Sequence, residues 1–350
     1  MVNNILSYFN DPYFLKIFIG TFLLGFAAGA IGIFPTLRKQ ALIGDALSHA
    51  SLPGVVIAFM IFNSRDILIL LLGALVFSFI SIGLIELIKK YSIIKYDASM
   101  ALILSAFFGF GNVLLSMLKS SNQAGLSKFI FGEAATMLEK DVVMIIISSV
   151  VLLIISILFW NQIKAFIFDQ KFYQSLGFNS NITRFLITFL TVLVVVISIR
   201  TIGVILMSAL LIAPAISARQ WSNKLSVNFI LAGIFGAISA GIGTFISFNV
   251  NGIPTGPIIV IILSILLIVS LLFSPKKGIL VTFINSKKQK SLIKKYHDLV
   301  HFYEFGEIED NIALSFYSEG LLNIDNNTYF ISDRGHTLIN NIMRGKNLWD

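Results

Sequence analysis

Apolar runs of about 20 residues follow one another along most of the chain, separated by short polar breaks. They cover roughly 13–34, 41–62, 67–88, 98–118, 141–159, 183–199, 201–218, 226–248 and 256–274. A helix rises 1.5 Å per residue, so each run is long enough, or nearly so, to cross a hydrocarbon layer about 30 Å thick. The pattern predicts an all-α bundle of eight or nine transmembrane helices. The stretch "GLSKFIFGEAATM" (126–138) is too short and too polar for a clean span. A surface or re-entrant helix is expected there, because irregular backbone is costly where it meets lipid. After Pro275 the pattern changes. Residues 276–295 carry seven Lys and no acid, which suits a juxtamembrane segment beside anionic headgroups. Residues 296–350 carry nine Asp/Glu against three Lys/Arg. Helical patterns in "SLIKKYHDLVHFY" and "EDNIALSFYSEGLL" and an alternating "TYFIS" predict a small α+β appendage. Three parts are expected: a membrane domain (1–275), a basic linker (276–295) and a soluble unit (296–350).

Composition agrees with a membrane protein. The 350 residues are 56% hydrophobic and only 13% charged, with a mean hydropathy of +0.88; an ordinary soluble domain is about a quarter charged. The chain has no cysteine, which excludes disulfides and thiolate metal sites. The first twelve residues lack a basic leader and a small-residue cleavage site, so the first span is expected to serve as the insertion signal. Basic residues set the orientation. One side collects Arg38, Lys39, Lys89, Lys90, Lys95, Lys164, Lys171, Arg184, Arg219, Lys224, Lys276 and Lys277. The other collects Lys16, Arg65, Lys119, Lys128, Lys140 and Arg200. The richer side, with the C-terminus, is expected in the cytoplasm. With nine spans the N-terminus faces outward; if the first run only lies on the membrane, it faces inward.

Within the second run stands "GDALSHASLPG" (44–54). Ionisable residues inside a span cost about 2.5–3.5 kcal/mol at its centre and usually face a cavity or a partner. Asp45 and His49 are spaced i,i+4 and share one helix face. Counted from Lys39, His49 lies about 15 Å deep, near the midplane. Pro53 has no N–H to give the His49 carbonyl, and Gly54 loosens the backbone beside it. Carboxylate, imidazole and freed carbonyl oxygen together suit a divalent ion such as manganese, iron or zinc. The plainer reading is a buried Asp–His pair holding two helices, with Pro53 as a kink. Pro214 interrupts a second run in "GVILMSALLIAPAISAR", oriented oppositely, and paired interruptions of this kind point to a midplane site in transporters. "GIPTGP" (252–257) leads into the last run.

These stretches resemble a known family. "GDALSHASLPGVVIAF" resembles the second-span signature of permease subunits of bacterial ABC transporters for manganese, zinc or iron. "FDQKFYQSLGF" (168–178) is similar to that family's short cytosolic helix, "SIRTIGVILMSALLIAPAISAR" to its long apolar segment ending Pro-Ala, and "IPTGPIIVIIL" to its Pro-Thr-Gly opening of the last span. The likeness covers about residues 10–275. It implies a multi-pass permease of the bacterial cytoplasmic membrane, paired with a second copy or a related permease. A separate ATPase drives it, and an extracytoplasmic metal-binding protein supplies it. Asp45 and His49 match the family's metal-gating pair. Phe168, Asp169, Phe172, Leu176 and Gly177 match the coupling helix that enters the ATPase groove, with Tyr173 where the family usually has alanine. The implied cargo is a divalent metal ion, with no permanently bound cofactor.

The sequence also limits the alternatives. No G-x-x-x-x-G-K-[ST] occurs, so the chain has no P-loop and any ATP-driven movement needs a separate motor. A proton-coupled secondary transporter, with Asp45 and His49 relaying protons, is the alternative. An intramembrane metal hydrolase is excluded by the lack of a third ligand and of H-E-x-x-H, His49 being the one histidine before residue 297. The ending "GLLNIDNNTYFISDRGHTLINNI" resembles the wing and following helix of winged-helix domains of metal-dependent repressors, with Asp333 expected to cap the last helix. Between the helix expected near 290–303 and Gly320 there is room for one helix, where a helix-turn-helix needs two. The acidic balance further opposes nucleic acid as a partner. His297, His301 and Glu304 share a helix face that reads either as a weak metal-sensing site or as a solvated surface.

Overall fold

The computed structural model describes residues 11–64, 66–118, 132, 137–204, 206–250, 253–275, 278–325 and 328–346. The helix expected over 126–138 therefore lies almost wholly outside the described residues, as does Gly252. The chain divides into two units, Met1–Ser274 and Pro275–Asp350.

In the first unit the helices are α1 (Pro12–Leu37), α2 (Ile43–Phe62), α3 (Ile67–Tyr91), α4 (Tyr96–Ser116) and α5 (Glu139–Leu158). Two short helices follow, α6 (Trp160–Phe168) and α7 (Gln170–Ser175), then α8 (Ser180–Ile202), α9 (Met207–Trp221), α10 (Leu225–Asn249) and α11 (Thr255–Phe273). Among the described residues eight helices are long and apolar enough to cross a membrane: α1 to α5, α8, α10 and α11. The run expected at 201–218 does not form one continuous helix of that length. Gly203 takes φ +91° and donates its N–H to Ile199 O, ending α8. The helix that resumes at Met207 has 15 residues, about 22 Å.

Polar side chains start the spans. Asp11 accepts from Tyr13 N at 2.9 Å and Asp66 from Leu68 N at 3.1 Å, meeting amides that a helix start leaves open. Inside the spans, hydroxyls turn back to their own helix: Thr36 to Gly32 O, Thr191 to Ile187 O, Ser198 to Val194 O. Where no water is at hand this satisfies them without a partner helix. Small residues set the close crossings. A Cβ at Gly25 would overlap the backbone of Gly236 in α10, one at Gly29 that of Ala232, and one at Gly32 that of Leu211 in α9. This stripe on α1 lets three backbones meet, the small-residue packing that holds helices together in lipid. Thr244 of α10 adds a hydrogen bond of 2.9 Å to Thr21 of α1.

The second unit holds α12 (Ile279–Lys295), α13 (His297–Phe305), α14 (Asp310–Ser318), a hairpin of β1 (Leu322–Asp325) and β2 (Thr328–Ile331), and α15 (Asp333–Lys346). The strands are antiparallel, with Leu322 opposite Ile331. Leu299, Ala313, Phe316, Leu321, Leu322 and Ile339 form its core. The helix expected near 290–303 is two helices, parted at Tyr296. The cap of α15 is Ser332 rather than Asp333: its Oγ accepts from Gly335 N at 3.1 Å and donates to Gly320 O at 2.7 Å.

Candidate functional site

The stretch 44–54 forms the first half of α2 and is clamped on three sides. A Cβ at Gly44 would stand 2.8 Å from Leu211 Cδ2 and 3.6 Å from Ser208 Cα, so the first turn of α2 rests on the first turns of α9. A Cβ at Gly111 of α4 would stand 2.9 Å from Leu52 Cγ and 3.0 Å from Pro53 Cδ. Gly54 and Gly73 of α3 face each other so closely that a Cβ on either would overlap the other's carbonyl oxygen. These contacts revise the expected break. α2 runs unbroken through Pro53, and α9 runs unbroken through Pro214. Pro53 and Gly54 seat α2 against α4 and α3. Pro214 faces Gly29 of α1, where a Cβ would meet Pro214 Cβ at 3.3 Å. The interruption in this part of the chain is the loop after Gly203.

Asp45 and His49 come together as their spacing requires. Asp45 Oδ1 lies 3.4 Å from His49 Nε2, with side-chain exposures of 30% and 12%. The imidazole meets the Phe108 ring edge-on, with centroids 4.6 Å apart. Phe108 is about 18 Å along α4 from its start and about 12 Å from its end, which sets His49 near mid-height of that neighbour. Counted along α2 itself the depth is only about 9 Å, because the start of α2 is recessed against α9. His49 Nδ1 is buried with no hydrogen-bond partner. Nε2 is the ring nitrogen that faces the carboxylate, so it and Asp45 form the donor set that one ion could share, with Nδ1 on the other side of the ring. Among the described residues no group of three or more His, Asp or Glu comes together. One chain therefore brings two candidate donors together here; on the His297–His301–Glu304 face, His297 pairs with Asp298 at 3.2 Å.

The segment 168–177 has two kinds of residue. Asp169 caps α7, accepting from Lys171 N at 2.9 Å and Phe172 N at 3.0 Å. Gly177 closes it at φ +84°, a left-handed conformation that favours glycine, and donates to Gln174 O. Phe168, Phe172 and Leu176 are exposed, so the capped turn presents an apolar face. Tyr173 points the other way. It is 2% exposed, shares a hydrogen bond of 2.8 Å with Thr183 Oγ1, stacks on Phe178 at 5.0 Å and meets Phe166 of α6 edge-on at 5.8 Å. It anchors α7 from beneath and leaves the exposed face unchanged.

No local pattern in the sequence marks what lies between these two regions. Arg38, at the end of α1, holds its guanidinium over the Phe166 ring at 5.5 Å. Burial pulls its pKa below the usual arginine range, and Arg184 nearby pulls the same way, against Tyr96 and Glu86. A contiguous path thus runs Tyr173–Phe166–Arg38, and seven residues on lies Asp45. The connecting turn is tight, with Lys39 at φ +58° and Gln40 N bonded to Pro35 O at 2.9 Å.

Residues 10–274 match the family described as the ABC 3 transport family. The zinc transport system membrane protein TroC of Treponema pallidum is 41% identical over 275 residues, covering 78% of this chain and 92% of that protein. The manganese transport system membrane protein MntC of Bacillus subtilis is 38% identical, covering 81% of this chain and 66% of that protein. Among solved structures, PsaBC from Streptococcus pneumoniae in complex with Fab matches with a TM-score of 0.70 at 31% identity, over 79% of this chain and 98% of that one. The family match ends before the second unit begins.

Proposed function

The chain belongs to the ABC 3 transport family, and from that premise we propose that it is the membrane permease subunit of an ATP-driven importer that passes a divalent ion, manganese or zinc, between Asp45 and His49. Relatives named for zinc and for manganese transport support both ions. Carboxylate and imidazole admit iron equally well, but neither of those two names does. The observation that carries the reading is His49 Nε2 facing the Asp45 carboxylate at 3.4 Å within an apolar helix.

Two donors are too few to strip and hold an ion that takes four ligands as zinc, or about six with water as manganese. A second permease, identical or related, facing the first across the pathway would bring the same pair and complete four protein ligands. The ion then loses part of its water at a depth where unpaired charge is costly, so occupancy is gated by whether the two pairs meet. An ATPase docks on Phe168, Phe172 and Leu176, on the cytosolic side, and an extracytoplasmic metal-binding protein delivers the ion to the other. A shift of α7 is carried by Tyr173 to Phe166 and by Phe166 to Arg38, which moves the turn that starts α2. The family leaves nothing to favour a proton-coupled transporter.

The test is ATP-dependent uptake of radioactive manganese or zinc into vesicles carrying the permease with its ATPase. Asp45→Asn and His49→Ala should abolish uptake while the protein stays at normal levels in the membrane. Uptake equal to the parent would remove the pair from the pathway.

A further inference from the structure

The structure assigns to this permease a binding site for the headgroup of an anionic phospholipid, set between the end of α3 and the start of α8. Here lies a cleft of about 510 Å³ lined by Glu86, Leu87, Lys89, Lys90, Tyr91 and Arg184. Three cations face one carboxylate. Glu86 makes no ion pair with any of them among the described residues, and Arg184 Nε is buried with no acceptor. A charged N–H held out of water calls for an acceptor oxygen. Lys89 and Lys90 are held at the mouth by aromatic rings, Nζ lying 5.0 Å from the Tyr96 centroid and 5.1 Å from that of Tyr91. A phosphodiester supplies the missing acceptors and the missing negative charge, and arginine suits it geometrically.

The surroundings point to a lipid rather than to a protein. Above the cleft, Leu84, Ile80, Val76, Leu72 and Leu68 form an exposed apolar stripe at four-residue spacing up α3, and Ile182 and Phe185 are exposed on α8. A headgroup in the cleft would lay its acyl chains along that stripe. The ATPase-facing residues Phe168, Phe172 and Leu176 are apolar and offer no such charge. Thr183, the neighbour of Arg184, holds Tyr173 of α7, so the bound lipid would brace the base of the coupling segment. The inference depends on α3 and α8 spanning the membrane; it does not depend on which ion is moved, and its test uses no metal.

The full-length permease with its ATPase, purified in detergent and freed of lipid, would be titrated with phosphatidylglycerol or with phosphatidylcholine of the same acyl chains. Retained lipid would be counted by native mass spectrometry. Phosphatidylglycerol should be retained in preference to phosphatidylcholine. Arg184→Gln should lower its retention about fivefold, and the pair Lys89→Gln/Lys90→Gln by about fivefold per charge removed. Lys224→Gln, an exposed lysine elsewhere, should leave it unchanged. If Arg184→Gln fails to fold, the lysine pair on its exposed turn carries the test. Equal retention of the two lipids, or unaltered retention in the variants, would overturn the assignment. So would displacement by millimolar inorganic phosphate, marking a free-phosphate site, or loss of lipid on pairing of two permeases, marking a protein interface.

Discussion

Alanine at Gly54 separates two accounts of the signature by sign. If Gly54 only loosened the helix after Pro53, alanine would stabilise the protein by about 0.5–1 kcal/mol, the usual gain at a helical glycine. The structure predicts the opposite. The new Cβ would overlap the carbonyl oxygen of Gly73 and lie 3.0 Å from Phe77 Cβ. The reciprocal position is equally closed, since a Cβ at Gly73 would overlap the Gly54 carbonyl and lie 2.6 Å from Ala58 Cβ. The obstructing atoms are mostly backbone, so α2 and α3 must part; overpacking of this kind costs about 1–3 kcal/mol. Net of the propensity gain, Gly54→Ala should lose about 1–2 kcal/mol. Gly83 is an internal control on α3, with open space around its missing Cβ, so Gly83→Ala should gain about 0.5–1 kcal/mol. The assay is thermal unfolding of both variants in one detergent, where the difference of about 2 kcal/mol should separate their midpoints by several degrees. A Gly54→Ala protein as stable as Gly83→Ala would refute the packing role.

Tyr173→Phe removes a buried hydroxyl bond to Thr183 and should destabilise by about 1 kcal/mol, whereas Tyr173→Ala leaves a cavity worth about 3–5 kcal/mol locally. ATP-driven uptake should fall in that order while metal binding to the permease stays unchanged; equal uptake in the two variants would count against the path through Phe166. Asp169→Ala removes the acceptor of two amides at a cost of about 1 kcal/mol, and hydrogen exchange at Lys171 and Phe172 should speed up accordingly. Ser332→Ala should destabilise the second unit by about 1 kcal/mol and leave uptake untouched, measured by proteolysis of residues 297–346 beside a transport assay.

Long-range contacts decided what the sequence left hidden. Apolar length alone predicts eight of the spans, because each must cross the same thickness of lipid. The break inside the run at 201–218 is hidden because "TIGVI" is apolar throughout, and a left-handed Gly203 ends α8 there. Asp45 and His49 were legible because i,i+4 spacing is a local property of one helix. Gly54 and Pro53 were misjudged as loosening elements, their partners Gly73 and Gly111 lying on other helices that no local pattern names. Arg38 reads in a sequence as one more marker of the cytoplasmic side, and its place over Phe166 depends on a helix far along the chain. Tyr173 stands where the family usually has alanine, and its inward position depends on a bond to Thr183 that the local pattern of 168–178 does not name.

In the proposed function two permeases share one ion between paired Asp45 and His49 side chains. Pulsed electron paramagnetic resonance of manganese bound to the assembled permease pair reads this directly, in a background where His297, His301 and His336 are alanine so that His49 is the sole histidine. For a pair of identical copies, the account predicts two equivalent imidazole nitrogens coupled to each ion, both lost in His49→Ala. A bound ion with no nitrogen coupling, or with one nitrogen only, would contradict it.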